Sequence, residues 1–166
     1  VQPLEMLDLS DILFGNEKLR IIALDQVTDS RNVGAIIRSS KAFGCDAIIM
    51  TKHNAPNENG SLARAAAGAL ENVPIIKVTN LNRAIQTLKS NSVCCIGLDA
   101  SGEHKLDSFR NEHRLALIMG SESTGMRRLT KQACDNIVTI PMRNQMESLN
   151  VSVASAIALY ATQVQD

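Results

Sequence analysis

Short apolar runs alternate along the chain with stretches in which apolar residues recur every three or four positions. The runs Arg20–Leu24, Ala47–Met50, Ile75–Val78, Val93–Leu98, Leu115–Met119 and Asn136–Ile140 predict strands. The segments Val33–Phe43, Ser61–Glu71, Leu81–Ser90, Arg127–Ala133 and Leu149–Val164 between and after them predict helices. A strand that is apolar on both sides must be covered on both sides, and strands separated by helices can pair in parallel. The pattern therefore predicts an α/β fold, a mostly parallel sheet with helices on both faces. No internal repeat or low-complexity segment interrupts it.

The two ends depart from this rhythm. Residues 1–13, Val1–Leu13, are apolar and acidic, and Gly15-Asn16 separates them from the first strand. They are expected to be a linker or arm from a longer protein, with residues 14–166 forming the main domain. At the other end Val151, Val153, Ala154, Ala156, Ile157, Ala158 and Leu159 leave the last helix almost no polar face. A helix apolar nearly all round is buried, either at a subunit interface or in the centre of the core. The pattern leaves both open.

Composition narrows the classes. A length of 166 residues suits one domain, and 45% hydrophobic residues suffice for a core. The apolar runs are too short to span a bilayer and no secretory leader is apparent. Cys45, Cys94, Cys95 and Cys134 form no C-x-x-C pair, so reduced thiols and a cytoplasmic setting are expected. His53, His104 and His113 lack metal-ligand spacing, and no metal is expected. Seventeen basic residues balance seventeen acidic ones, and aromatics are 2%, unlike a basic or base-stacking nucleic-acid module. An RNA partner would have to be held by local patches or a further domain.

Three segments follow predicted strands, at the carboxyl edge where open α/β sheets bind ligands. The first runs from Asp25 to Arg38 through Asp29-Ser30-Arg31-Asn32-Val33-Gly34. Its turn and capping residues start a helix on which Arg38 could meet phosphate; an ordinary cap with a surface arginine explains the segment as well. The second is Met119-Gly120-Ser121-Glu122-Ser123-Thr124-Gly125-Met126. Its glycines have P-loop spacing, but Met126 stands where the phosphate-binding lysine belongs, and no G-x-G-x-x-G is present. Arg127, Arg128 and Lys131 follow as a basic patch or a solvated helix face. The third is Ile140-Pro141-Met142 followed by Ser148-Leu149-Asn150-Val151-Ser152-Val153-Ala154. Ser148 is placed to cap the last helix, and Asn150 in its first turn is a polar residue in need of a partner.

Together the three segments resemble the motifs of the SpoU (TrmH-like) family of RNA ribose 2′-O-methyltransferases, in the SPOUT superfamily. The likeness covers almost the whole chain from about Leu24. Val78-Thr79-Asn80-Leu81 and Gly125-Met126-Arg127-Arg128-Leu129-Thr130 look like the subgroup that methylates a guanosine of 23S ribosomal RNA. The resemblance implies a SPOUT fold with a C-terminal trefoil knot, a homodimer through the last helix, and S-adenosyl-L-methionine as methyl donor. It places the donor against Gly97, Leu98, Asp99, Ala100, Gly120, Ile140, Met142 and Leu149. It makes Asn32, Arg38, Glu122, Ser148 and Asn150 the catalytic set, and Arg31, Arg38, Arg127 and Arg128 RNA contacts. Arg38 would bind the phosphate beside the target and assist deprotonation, and Asn32 and Asn150 would orient ribose and arginine. Glu122 would position Arg38 or the start of its segment across the dimer, and Ser148 would hold the helix start. Asn144 stands where the family commonly has glycine. The alternatives are a transfer RNA D-loop guanosine as substrate, or a non-catalytic RNA-binding or ribosome-assembly protein on the same fold.

Overall fold

The computed structural model describes residues 8–53, 73–144 and 148–164. Its elements in chain order are α1 (Leu9–Leu13), β1 (Leu19–Asp25), α2 (Ser30–Ala42), β2 (Ala47–Thr51), β3 (Ile75–Val78), α3 (Leu81–Ser90), β4 (Cys94–Leu98) and β5 (His104–Lys105). A 3-10 turn (Leu106–Phe109), β6 (Arg114–Gly120), α4 (Arg128–Ala133), β7 (Asn136–Thr139) and α5 (Val151–Ala161) follow. The seven strands form one sheet in the order β3-β2-β1-β6-β4-β7-β5, and every pairing is parallel. The expected α/β architecture is the observed one.

Strand alternation divides the core in two. Ile22, Leu24, Leu115 and Leu117 face a layer that includes Ile36, Ile37, Ala158 and Leu159 of α2 and α5. Ile21, Ala23, Ala116 and Ile118 face the other layer, with Leu81, Ile85 and Leu88 of α3 and Ala133 of α4. The central strands β1 and β6 are thus apolar at consecutive positions because both faces are buried. In the stretch expected to be an arm, Leu9 and Leu13 of α1 are buried in this second layer.

All six predicted strands match to within a residue at each end. The two-residue β5 and the 3-10 turn are additional, and the exposed His104-Lys105 carries no apolar signal to predict them. The predicted helix Ser61–Glu71 lies outside the described residues. α2 begins three residues early, at Ser30, because Asp29 caps it by accepting from the Arg31 amide at 2.9 Å.

The start of α5 corrects the expectation for Ser148. Asn150, not Ser148, is the N-cap: its Oδ1 accepts from the Ser152 amide at 2.9 Å and its carbonyl accepts from the Ala154 amide at 2.9 Å. A cap must directly precede the first helical residue, and Ser148 stands two residues further upstream. The apolar helix also proves two-sided. Val151, Ser155, Ala158 and Leu159 are buried, whereas Val153, Ile157 and Tyr160 form a stripe exposed by 48%, 37% and 67%.

Candidate active site

β1 and β6 pair along their full length, from Leu19 opposite Arg114 to Asp25 opposite Gly120. Their carboxyl ends therefore lie side by side, and the segments after them meet although about a hundred residues separate them. Asp25 is fully buried at this edge. Its Oδ2 accepts from the Arg127 amide at 2.8 Å, and its Oδ1 accepts from Arg127 Nε at 2.9 Å and pairs with Nη2 at 2.8 Å. This clamp ties the end of the β6 loop to β1.

The loop itself is a tight return. Gly125, at φ +66°, donates to the Ser121 carbonyl at 2.8 Å. A Cβ on Gly120 would come within 2.2 Å of the Met126 amide nitrogen and 2.3 Å of the Gly125 carbonyl carbon, so only glycine fits there. The turn presents Glu122 to the start of α5. Glu122 Oε1 accepts from Asn150 Nδ2 at 2.6 Å, from Asn32 Nδ2 at 3.1 Å and from the Val151 amide at 3.2 Å. Asn150 Nδ2 also donates to Asn32 Oδ1 at 3.1 Å. One carboxylate at the positive end of α5 thus joins all three segments in a charge-assisted network.

A cavity of about 180 Å³ opens next to this network. Its walls come from the turn after β4, the loop after β6, the segment after β7 and the start of α5. Seven of the eight expected donor contacts line it: Leu98, Asp99, Ala100, Gly120, Ile140, Met142 and Leu149. Gly97 does not; it is buried within β4, where a Cβ would lie 2.7 Å from Met126 Cε and 3.0 Å from Cys134 Sγ. Ser148 lines the cavity, which retains it at the site in a role other than capping. Ser121 and Thr139 also line it. They were not expected, because a small polar residue in a loop carries no signal of the direction it faces. The charged lining residues are Asp99 and Glu122, both acidic. Partial burial pushes the Asp99 carboxyl up, but the Ser101 hydroxyl and amide, then Lys131, outweigh it and hold it below the usual range.

The arginines divide. Arg127 was expected to meet RNA but is the anchor of Asp25: the buried carboxylate captures the planar fork, leaving a side chain 45% exposed. Arg128 is exposed and forms no hydrogen bond or ion pair with any described residue. Arg31 is exposed at the start of α2, near Asp29 at 3.7 Å, a pair too open to contribute much. Arg38 is exposed and likewise unpartnered among the described residues. It stands six positions beyond Asn32, which on a helix is about 9 Å along the axis and roughly 120° around it. Glu122, expected to reach across a dimer to Arg38 or the start of its segment, binds that segment's Asn32 within its own chain. Among the described residues no three His, Cys, Asp or Glu side chains converge as metal ligands.

A second cavity, of about 770 Å³, lies where β1 starts and is lined in part by Arg20, Arg110 and Tyr160. Arg20 Nη2 donates to the Thr162 carbonyl at 2.8 Å and Arg110 Nε to the Ala161 carbonyl at 3.3 Å. These cations complete the negative end of α5, which accounts for their presence. The four cysteines are free thiols. Burial pushes Cys45 and Cys94 up to about 11 and Cys134 to about 12, and it raises Cys95 as well. None has the depressed pKa of a nucleophile.

The fold and the site define an α/β domain that gathers three strand-end segments around one cavity. The chain belongs to the SpoU rRNA methylase family, which it matches over residues 19–160. It is 40% identical over 153 residues to the 23S rRNA (guanosine-2′-O-)-methyltransferase RlmB of Escherichia coli K12, covering 92% of this chain and 63% of that protein. The enzyme of the same name from Vibrio parahaemolyticus is 41% identical over 153 residues, covering 92% of this chain and 62% of that protein. The chain thus spans less than two thirds of these relatives' length. Among solved structures, the SpoU methyltransferase AviRb of Streptomyces viridochromogenes in complex with AdoMet superposes with a TM-score of 0.85 at 25% identity, over 96% of this chain and 61% of that one. The TrmH/SpoU tRNA modifying enzyme of A. aeolicus gives 0.77 at 26% identity, over 93% and 79%.

Proposed function

We propose that this chain is the catalytic part of an S-adenosyl-L-methionine-dependent RNA 2′-O-ribose methyltransferase that acts on a guanosine of 23S rRNA. The observation that carries the reading is the Asn32–Glu122–Asn150 network beside a cavity lined by the residues expected to hold the donor. The cavity suits that donor: Leu98, Ile140 and Leu149 offer apolar walls to an adenine, and two carboxylates face a molecule that carries a sulfonium charge. Likeness to RlmB favours the ribosomal substrate over a transfer RNA.

The donor supplies an electrophilic methyl group when bound. The chain's own task is to place a ribose 2′-hydroxyl in line and manage its proton. Asn32 and Asn150, locked together by Glu122, present a fixed polar edge to the ribose. Ser148, on the cavity wall, holds the start of α5 near donor and acceptor. Arg38 binds the neighbouring phosphate and stabilises charge developing on the oxygen, a role suited to the planar fork of a guanidinium. Arg38 lies away from Asn32 on α2, so a second copy supplies it, docked through the exposed stripe Val153–Ile157–Tyr160. The C-terminal knot implied by the family belongs to the same reading. Arg31 and Arg128 are the remaining RNA contacts. Among the described residues no helix is long and apolar enough to cross a membrane; we place the protein in the cytoplasm.

The test has two steps. Calorimetric titration with S-adenosyl-L-methionine, with ATP and NAD as controls, should show selective binding of the methyl donor. Transfer of labelled methyl to 23S rRNA should then be lost in Arg38→Ala while donor affinity stays within about twofold. Normal turnover of that variant would refute the site. Labelling of transfer RNA in place of ribosomal RNA would move the substrate to the other branch of the family.

A further inference from the structure

We infer that Asp99 is the acceptor for a ribose hydroxyl of the donor nucleoside, and that Lys131 is the positioning residue that holds it for this task. This rests on the donor reading above and assigns a part of the ligand to a part of the cavity.

The carboxylate is used unevenly. Oδ2 takes every contact: the Ser101 amide at 3.0 Å, the Ser101 hydroxyl, and Lys131 Nζ at 3.2 Å. Oδ1 accepts from no described residue, and it lies 3.6 Å from where a Cβ of Gly125 would be. The backbone is equally fixed, with the Asp99 amide donating to the Val138 carbonyl at 3.0 Å and the Gly102 amide to the Asp99 carbonyl at 3.1 Å. The side chain is only 20% exposed. The result is an ionised acceptor, held by one oxygen, with the other oxygen left for a ligand on the wall of the cavity. Oδ1 is open to the cavity, where water serves it until a ligand hydroxyl takes that place.

Three groups of the donor could supply it: the ribose hydroxyls, the adenine amine and the methionyl ammonium. The Glu122 network marks the reacting end, at the start of α5. Asp99 is placed elsewhere, after β4 and beside α4 through Lys131. The ammonium lies on the short amino-acid arm attached to the reacting sulfur, whereas the ribose links that sulfur to the base. A carboxylate at the end of a parallel strand is also a recurrent solution for ribose hydroxyls in nucleotide-binding α/β sheets.

Binding of S-adenosylhomocysteine and of 5′-methylthioadenosine, which has the ribose but no amino-acid arm, tests this on the whole chain. Asp99→Ala should weaken both ligands by a similar factor, about tenfold or more for a hydrogen bond to a charged acceptor. Asp99→Asn, nearly isosteric, should do so less and guards against a folding defect, which thermal melting reports. Lys131→Met should weaken both ligands in parallel by a smaller factor, and Lys131→Arg should restore them. Loss confined to S-adenosylhomocysteine would assign Asp99 to the ammonium and overturn the proposal, as would unchanged affinity for both, or an Asp99→Ala loss that vanishes with 5′-methylthioinosine, which lacks the adenine amine and would assign Asp99 to the base. If the unaltered chain binds neither compound, the donor reading itself falls.

Discussion

Replacing Arg127 by alanine separates an anchor from an RNA contact. Asp25 is fully buried, and the substitution removes both side-chain donors from its Oδ1 while the backbone amide stays on Oδ2. Breaking a buried ion pair by deleting one partner costs about 3–5 kcal/mol. The arginine is itself 45% exposed, so water can enter its place and solvate Oδ1. That argues for a value at or just below the low end, about 2–3 kcal/mol. In a domain of this size each kcal/mol moves the melting temperature by about 2–4 °C, so a fall of about 5–10 °C is expected. Urea unfolding at pH 7 measures the loss. A double-mutant cycle with Asp25→Asn should show coupling above about 1 kcal/mol, because the two groups share one interaction. The clamp also holds the Glu122 loop to β1, so donor affinity should fall with stability. A variant within about 0.5 kcal/mol of the parent, with weaker RNA binding, would refute this and return Arg127 to the RNA surface.

Three further outcomes follow from the same contacts. Gly120→Ala should fail to fold or lose several kcal/mol, read by urea unfolding, since its Cβ would stand 2.2 Å from a backbone nitrogen that cannot swing away. Asn150→Ala removes the cap of α5 and two bonds of the Glu122 network. It should cost about 1–2 kcal/mol in thermal melting and lower methyl transfer, whereas Asn150→Asp should retain the cap and lose transfer by setting a second carboxylate against Glu122. The thiols, buried at Cys45 and half-buried at Cys94 and Cys134, should resist iodoacetamide at pH 7, because little thiolate exists when Cys45 and Cys94 sit at about 11 and Cys134 at about 12. Their folded values lie above the ordinary 9.0, so their contribution to stability is complete below pH 9 and lost as pH rises towards 11–12. The urea midpoint should fall across that window, and a flat profile would show that the thiols are not buried as described.

Local information reaches a definite distance in this chain. The apolar runs, the helical spacing and the turn residues at Asp29 and Gly125 follow from a few neighbouring residues, and they sufficed to predict a parallel sheet with three polar segments at its carboxyl edge. Family resemblance rests on the same kind of short pattern, and most of the residues it named line one cavity. Pairing across long separations was not legible. Asp25 reads as the end of an apolar strand, and Arg127, 102 positions later, reads as part of a basic patch. Only the full β1–β6 register brings them together. The same register places Glu122 on Asn32, a pairing that no spacing along the chain reveals. Ser148 and Asn150 compete for one cap, and the outcome depends on where the last turn of backbone hydrogen bonds begins. The last helix shows the division most simply: its composition demands burial on all sides, but only packing against α2 and β6 determines which side is satisfied within the chain and which is left for another surface.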